Sequence, residues 1–478
     1  MNLQEQLSEI ILNLGSLKVE STLILGAIFL LIAGLIKKAN WLLKSIYAAT
    51  LLLAIYFNWQ GFTMGEILSE SISLTRTAHN FTFVLLLSCL LILLYRRSSE
   101  HATEFYFFIL SLLIGSTFLM KANSFLVTFL SIELTSFSAY ILTNFSFKKN
   151  GFEAGIKYLL FGAISTAIML FGFGMIYGST GTFFISDWET TNTGTLQFGI
   201  GLVFIIFGLL FKASIVPFHI WVPATYQSAP NDATAVLSIA PKLAAFVLLH
   251  RIYLMTSIDG WIIQLCLVLG ILTIVFGTFS ALKQTNARRM ISFGAIAHSG
   301  FLLPLALLSS ETAEQAFWWY AVVYAVMNVA VFYFLDEYEK NSVITLDDYN
   351  GLGNRNLIAN VSIAIVLISL IGLPPLAGFT AKFFMFGSLL EFYSQSEEIL
   401  YLVYLAVAVF ATLISLFFYL RIPYRMFLVK TETPRSIEFS LSTKIIATLF
   451  SIVLLLLFFV PQILTVMQQL LTSHIAHE

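Results

Sequence analysis

Residues 357–392 read LIANVSIAIVLISLIGLPPLAGFTAKFFMFGSLLEF, and this stretch decides the fold. It is apolar almost throughout, yet far longer than the ~20 residues that carry a helix across a ~30 Å hydrocarbon core. Pro374 and Pro375 remove two backbone donors near its middle, and Gly372 and Gly378 ease a bend there. A helix that enters the membrane, breaks and continues is the expected result. Lys382 follows in the second half. Broken helices at membrane depth are tolerated only where they are buried in protein or line a cavity.

A related stretch lies upstream. Residues 209–242 read LLFKASIVPFHIWVPATYQSAPNDATAVLSIAPK, with Lys212 and Lys242 inside apolar runs and Pro217, Pro223 and Pro230 between them. A cation at membrane depth is costly unless it faces protein or water, so each such lysine is a functional candidate. The stretch reads as part of an ion path.

Composition sets the frame. Of 478 residues, 58% are hydrophobic and only 11% charged, which excludes an ordinary soluble domain. A formal net charge of -1, without a basic tail, gives no footing for nucleic acid. Cys89 and Cys266 are the only cysteines, so neither a disulfide framework nor an iron–sulfur site is expected within this chain. No GxxxxGK[ST] loop and no GxGxxG in a βαβ setting occurs. The acidic start MNLQEQLSEI and the lack of a cleavage-like site argue against a removable signal peptide. Residues 1–478 read as a single membrane domain.

The expected fold is all-α, a polytopic membrane protein with about fourteen transmembrane helices. The spans fall at residues 21–36, 41–59, 77–95, 105–120, 124–142, 154–177 and 198–222. The remainder fall at 233–253, 261–282, 290–308, 316–335, 357–392, 400–420 and 445–466. The two shortest, 21–36 and 105–120, are expected to have clipped ends, and residues 3–14 to lie at the interface. Interrupted helices at spans seven and twelve are five spans apart, and an odd offset reverses direction across the bilayer. Spans 4–8 (105–253) and 9–13 (261–420) are therefore expected to form two inverted five-helix repeats, each with a broken helix.

Loop charge predicts orientation. Lys37, Lys38, Arg96, Arg97, Lys148, Lys149, Lys283, Arg288, Arg289, Arg421, Arg425 and Lys430 follow odd-numbered spans. Glu66, Glu70, Asp187, Glu189, Glu311, Glu314, Glu397 and Glu398 occupy the intervening loops. Basic loops face the cytoplasm, which puts both termini outside.

Glu133 sits mid-span among Ser131, Thr135 and Ser138; it reads either as a hydrogen-bonded structural acid or, the expected case, as the partner of Lys212 or Lys157. Lys157 begins span six, from which it can also snorkel to the interface. Lys212, about ten residues from the end of span seven, can also snorkel, and the broken helix leaves the depth of Lys382 open. Lys242, near the centre of span eight, reaches headgroups poorly. A glutamate–lysine set that rearranges can pass a proton. His298 joins the set as a relay candidate, and His219 less so. Neither histidine has a second ligand at metal spacing. Asp336, Glu337 and Glu339 read as a solvated loop edge, and Gly174 with Gly178 as a weak GxxxG packing match.

Several motifs together carry a family resemblance. They are Glu133, EAGIKYLLFGAISTAIMLFGFGMIYGSTGT from Glu153, FKASIVPFHIWVPATYQSAP from Phe211, ALKQTNARRMISFGAIAHSGFLL from Ala281 and ISLIGLPPLAGFTAKFF from Ile368. This set resembles the antiporter-like membrane subunits of respiratory complex I, the NADH:quinone oxidoreductase, most closely their N-type branch. It covers residues 105–425. The chain is too short for the L type with its lateral helix.

The resemblance implies a proton-translocating subunit in which Glu133, Lys157, Lys212, Lys242 and Lys382 form a hydrophilic axis. Lys382 in span twelve suits the N or L type. It also implies no cofactor in this chain, with NADH, FMN, iron–sulfur clusters and quinone handled by partner subunits. Those partners would be antiporter-like subunits M and L and small subunits K and J, in a bacterial inner membrane. The alternative is a subunit of an Mrp-type sodium/proton antiporter or a membrane-bound hydrogenase, which uses the same fold and lysines. A scaffold whose lysines are merely satisfied internally is the third reading.

Overall fold

The computed structural model describes residues 15–36, 39–61, 64–94, 101–189, 194–256, 260–353, 356–431, 437 and 439–473. The predicted interfacial segment 3–14, and Lys37, Lys38, Arg96 and Arg97, lie outside the described residues.

The helices run α1 (Lys18–Ile36), α2 (Asn40–Trp59), α3 (Arg76–Leu91), α4 (Ala102–Lys121), α5 (Phe125–Thr143), α6 (Lys149–Thr180) and α7 (Leu196–Ala213). They continue with α8 (Trp221–Ser228), α9 (Asn231–Met255), α10 (Gly260–Leu282), α11 (Ala287–Leu302) and α12 (Glu311–Glu339). The last are α13 (Leu357–Ile371), α14 (Ala377–Ser396), α15 (Ile399–Tyr419), α16 (Arg421–Phe427), α17 (Leu441–Phe459) and α18 (Gln462–Thr472). Among the described residues, 13 helices are long and apolar enough to cross a membrane. The remaining expected span, 357–392, is the one divided into α13 and α14.

Helix starts follow from side-chain caps. Thr75, Ser124, Asn286, Ser310 and Ser440 each accept a backbone N–H from the first turn of α3, α5, α11, α12 and α17. The two clipped spans lengthen as expected, to Lys18–Ile36 and Ala102–Lys121. Span fourteen differs. Pro461 has no N–H and restricts Val460, which sits at φ -128 and ψ 67, so α17 stops at Phe459. One feature departs from all-α: Gly65–Ile67 (β1) pairs antiparallel with Ile72–Leu74 (β2) as a short hairpin.

The described chain divides into two compact units. The first takes the described parts of residues 1–213, 240–259 and 466–478, and the second those of 214–239 and 260–465. Burial is uneven along the chain. The apolar windows of α9, of α12 and of 287–307 are 100% buried, whereas those of α2 and of 399–427 are only 28% buried. Apolar residues facing outward on the latter are what a lipid-facing surface requires.

In the second unit, Gly372 ends α13 at φ +86 and donates its N–H to the Ile368 and Ser369 carbonyls. A Cβ on Gly378 would lie 1.7 Å from the Ser369 carbonyl oxygen, so only glycine lets α14 start there. The predicted GxxxG contact is absent at Gly174, where a Cβ would meet nothing within 4 Å. The α6–α7 approach is made instead at Gly172, where a Cβ would lie 2.6 Å from the Gly201 carbonyl.

The acidic cluster is not a solvated edge. Glu337 is buried, takes Lys340 at 2.6 Å and accepts from the Thr443 hydroxyl at 2.8 Å. Asp336 also takes Lys340 at 2.6 Å, and Glu339 pairs with Arg288. Arg288 further donates to the Ala229 carbonyl at 2.6 Å, tying the α8–α9 link to the end of α12. The run alone shows Lys340 within one turn of Asp336 and Glu337, but not Arg288 or Thr443, which come from other helices.

Gly378→Ala is expected to cost about 1–3 kcal/mol by overpacking and to lower the amount of folded protein, while Gly174→Ala is tolerated. Thermal denaturation of the detergent-solubilised variants checks both.

Candidate functional site

In the first unit the site is built on α5, α6 and α7. Glu133 on α5 is half-buried and accepts the Thr166 hydroxyl of α6 at 2.9 Å. Ser136, one turn along α5, accepts a hydrogen bond from Lys212 Nζ at 2.5 Å and donates its own to the Ile132 carbonyl. The Lys212 ammonium is buried beneath three rings, 5.6 Å from Tyr140, 5.4 Å from Tyr158 and 5.6 Å from Phe211. The expected direct pairing of Glu133 with a lysine is not formed among the described residues. Carboxylate and ammonium sit one helical turn apart along α5, each on a neutral hydroxyl.

Lys157 is placed elsewhere. It pairs with Glu153 at 2.5 Å on the outer side of α6, with side chains 54% and 62% exposed. The i,i+4 neighbour captures it, which a helix periodicity argument can see and a hydropathy argument cannot.

Lys242 is fully buried in α9, one residue after Pro241. That proline cannot donate to the Leu237 carbonyl. The Tyr226 hydroxyl reaches that carbonyl at 3.4 Å, and the Tyr324 hydroxyl reaches the next, Ser238, at 3.1 Å. The helix is thus loosened and re-satisfied by tyrosines one turn before Lys242. The division between the two units falls at the same place.

In the second unit, Lys382 of α14 is buried and reaches back across the break. Its Nζ donates to the Ile371 carbonyl at 2.8 Å, at the last residue of α13, and to the Thr412 hydroxyl at 3.3 Å. The ammonium also stands 4.3 Å from the centre of the Phe301 ring. It therefore sits where the helix dipole and the orphan carbonyls favour a cation. Lys212 uses the same physics in the reverse order, since it lies in the last turn of α7 before that helix breaks at Ser214, φ +62.

His298 of α11 is buried one turn from Phe301, with its ring 6.0 Å from Phe301 and Nδ1 2.8 Å from the Tyr320 hydroxyl. Tyr324, which reaches Ser238, lies 5.6 Å from the same imidazole. Lys382, Phe301, His298, Tyr324 and the loosened turn of α9 form one connected series. His219 packs against Phe276 at 4.4 Å and joins no such series. No group of three metal-ligating side chains occurs among the described residues.

Several buried ionisable residues escaped the sequence reading, His79 and His250 among them. Glu20 and Lys121 form a buried pair at 2.6 Å, and Arg251 donates to the Lys121 and Ala122 carbonyls at 3.1 and 2.8 Å. Glu20 and Lys121 sit just beyond the ends of the two clipped spans, and extending those spans to bilayer length brings both inside. Arg251 stood within an apolar run, where its charge was itself a signal.

The transmembrane family described as NADH:quinone oxidoreductase/Mrp antiporter matches residues 122–415, and the chain belongs to it. Curated relatives of the chain include N-type subunits. It is 33% identical over 482 residues to NADH-quinone oxidoreductase subunit N of Bacillus anthracis, covering 94% of this chain and 93% of that one. It is 32% identical to NADH-quinone oxidoreductase subunit N 2 of Chloroherpeton thalassium, covering 76% and 74%. In fold it resembles a chain of respiratory complex I from Thermus thermophilus, with a TM-score of 0.79 and 24% identity over 94% of this chain and 98% of that one. It equally resembles a chain of the Mrp complex from Dietzia, with a TM-score of 0.76 and 18% identity over 96% of each. Fold alone does not separate these two; the sequence relatives do.

An amine-reactive, membrane-permeant reagent is expected to modify Lys157 readily and to spare Lys212, Lys242 and Lys382. Peptide mass spectrometry after labelling of native membranes checks the contrast.

Proposed function

We propose that this chain works as the N-type, antiporter-like subunit of an NADH:quinone oxidoreductase, moving protons through Glu133, Lys212, Lys242, His298 and Lys382. The observation that carries the reading is the setting of Lys212 and Lys382. Both are buried, and each is held by neutral acceptors: a serine hydroxyl for one, a carbonyl and a threonine hydroxyl for the other. An amine held so can give up and regain a proton without tearing apart an ion pair, which suits a relay better than a structural bridge. Glu133 and the Ser136 that holds Lys212 lie one turn apart on α5, so movement of that helix bears on both charges.

The chain contributes no redox chemistry. Electron transfer from NADH through flavin and iron–sulfur centres to quinone belongs to partner subunits. The membrane partners in this reading are the antiporter-like subunits M and L and the small subunits K and J. The two inverted five-helix repeats, 105–253 and 261–420, supply the two broken helices on which Lys212 and Lys382 are mounted. Lys157, paired and exposed, enters the reading at the lipid- or subunit-facing side of α6 and not as a buried step. Basic loops after odd spans support a bacterial inner-membrane placement with both termini on the outer side.

Two outcomes test the reading. A tagged chain pulled from mildly solubilised native membranes is expected to bring down NADH–quinone reductase activity with flavin and iron–sulfur absorbance. Recovery of small membrane subunits alone would instead indicate an Mrp-type antiporter. Within the assembled complex, Lys212→Ala and Lys242→Ala are each expected to lower NADH-driven acidification of inverted vesicles by about tenfold. A scaffold role predicts unchanged pumping per assembled complex and less assembly.

A further inference from the structure

The first unit holds buried ionisable groups that the path above does not use, and they lie outside the residues matched by the family. Glu20, in the first turn of α1, meets Lys121, in the last turn of α4, at 2.6 Å, with side chains only 1% and 8% exposed. Lys121 also lines a cavity of about 140 Å³ with Ser16, Lys18, Asn58, Thr75 and His79. That volume has room for about four waters at ~30 Å³ each.

Two polar atoms, one on the partner of the lining Lys121 and one on a lining residue, lack a protein donor among the described residues. One is Oε2 of Glu20 and the other Oδ1 of Asn58, both on residues 1% exposed. Asn58 turns its amide nitrogen to His79 Nδ1, 3.3 Å away. A buried carboxylate oxygen without a donor is costly, and the cost is relieved by a water or by a proton.

The pair is also joined to the lysine-bearing helix. Arg251 of α9 holds the Lys121 and Ala122 carbonyls and donates to Asn123 Oδ1 at 2.7 Å. Lys242 lies nine residues before it, about 14 Å along the helix at 1.5 Å per residue. His250, buried in the same helix, is the titratable group between them.

We propose that Glu20, Lys121 and His79 form a second proton site, a water-filled port at the end of the first unit where α1 and α3 begin and α2 and α4 finish. Its ligand is the proton, carried by cavity water. In the transfer, an N–H bond of Lys121 breaks and an O–H bond forms on Glu20, leaving both groups neutral. That proton then passes from Glu20 to a cavity water as hydronium, and Lys121 regains one from the α9 side. The port rests on the proton-translocating reading given above. By the loop-charge orientation it faces outward, on the release side.

The test uses the intact complex in inverted vesicles, measuring protons moved per NADH oxidised. Lys121→Arg keeps the ion pair but cannot release its proton, so a port predicts a several-fold lower ratio, and a structural staple predicts no change. Glu20→Gln is expected to lower the ratio similarly, and Lys121→Arg decides the matter if Glu20→Gln fails to assemble. Ser16→Cys, with Cys89 and Cys266 both only 1% exposed, is expected to react with an impermeant thiol reagent from one side of the membrane. An unchanged ratio in Lys121→Arg, or no labelling of Ser16→Cys from either side, would overturn the port. Lys212→Ala run in parallel separates the failures. Normal pumping there overturns translocation as a whole, whereas lost pumping there with a normal Lys121→Arg overturns the port alone.

Discussion

The Lys382 ammonium lies against the terminal carbonyl of a half helix, and the rest of the second unit is arranged to permit that contact. A cation and an unpaired carbonyl are each costly inside a membrane, and here each satisfies the other. The break supplies the carbonyl. Gly372 adopts the left-handed turn that exposes it, and Gly378 lets the second half begin within contact of Ser369. A side chain on Gly372 would meet the Lys382 stem at 2.8 Å, so that glycine serves the lysine as well as the turn. The break and the charge are one device.

The same device recurs around Lys212 with its parts in another order. There the lysine precedes the break and sits in the last turn of the half helix, near the negative end of the dipole. In the second case the lysine follows the break and folds back. What the two share is a buried ammonium on neutral acceptors, carried by a broken helix, not the order of Lys and Pro along the chain. This is why the two stretches show no alignable repeat while carrying matching chemistry.

Tyrosines do the remaining work of lowering the cost of irregular backbone. Pro241 removes a donor from α9, and Tyr226 and Tyr324 bring hydroxyls to the Leu237 and Ser238 carbonyls. Tyr320 does the same for the His298 imidazole. A tyrosine buries a large apolar ring and still delivers one polar atom, which suits an interior that must be dry and yet locally polar. At the helix ends, Arg288, Arg421 and Lys340 close carbonyls and carboxylates. Arg421, for example, donates to both Leu282 and Gln284 at 2.9 Å, at and just beyond the end of α10.

The sequence by itself determined the apolar spans, the breaks and the place of Lys212, Lys242 and Lys382 within or beside them. Hydropathy, proline chemistry and bilayer thickness act over one helix at a time, so a single stretch contains all that is needed. Tertiary structure alone decided which groups meet. Glu133 found Thr166 and not a lysine, and Glu337 was buried by Thr443. Glu20 found a partner 101 residues away in Lys121. Lipid-facing and protein-facing surfaces are equally apolar, so the pattern along a helix does not say which side a charge will be offered a partner on. That choice belongs to the packing of helices distant in the chain.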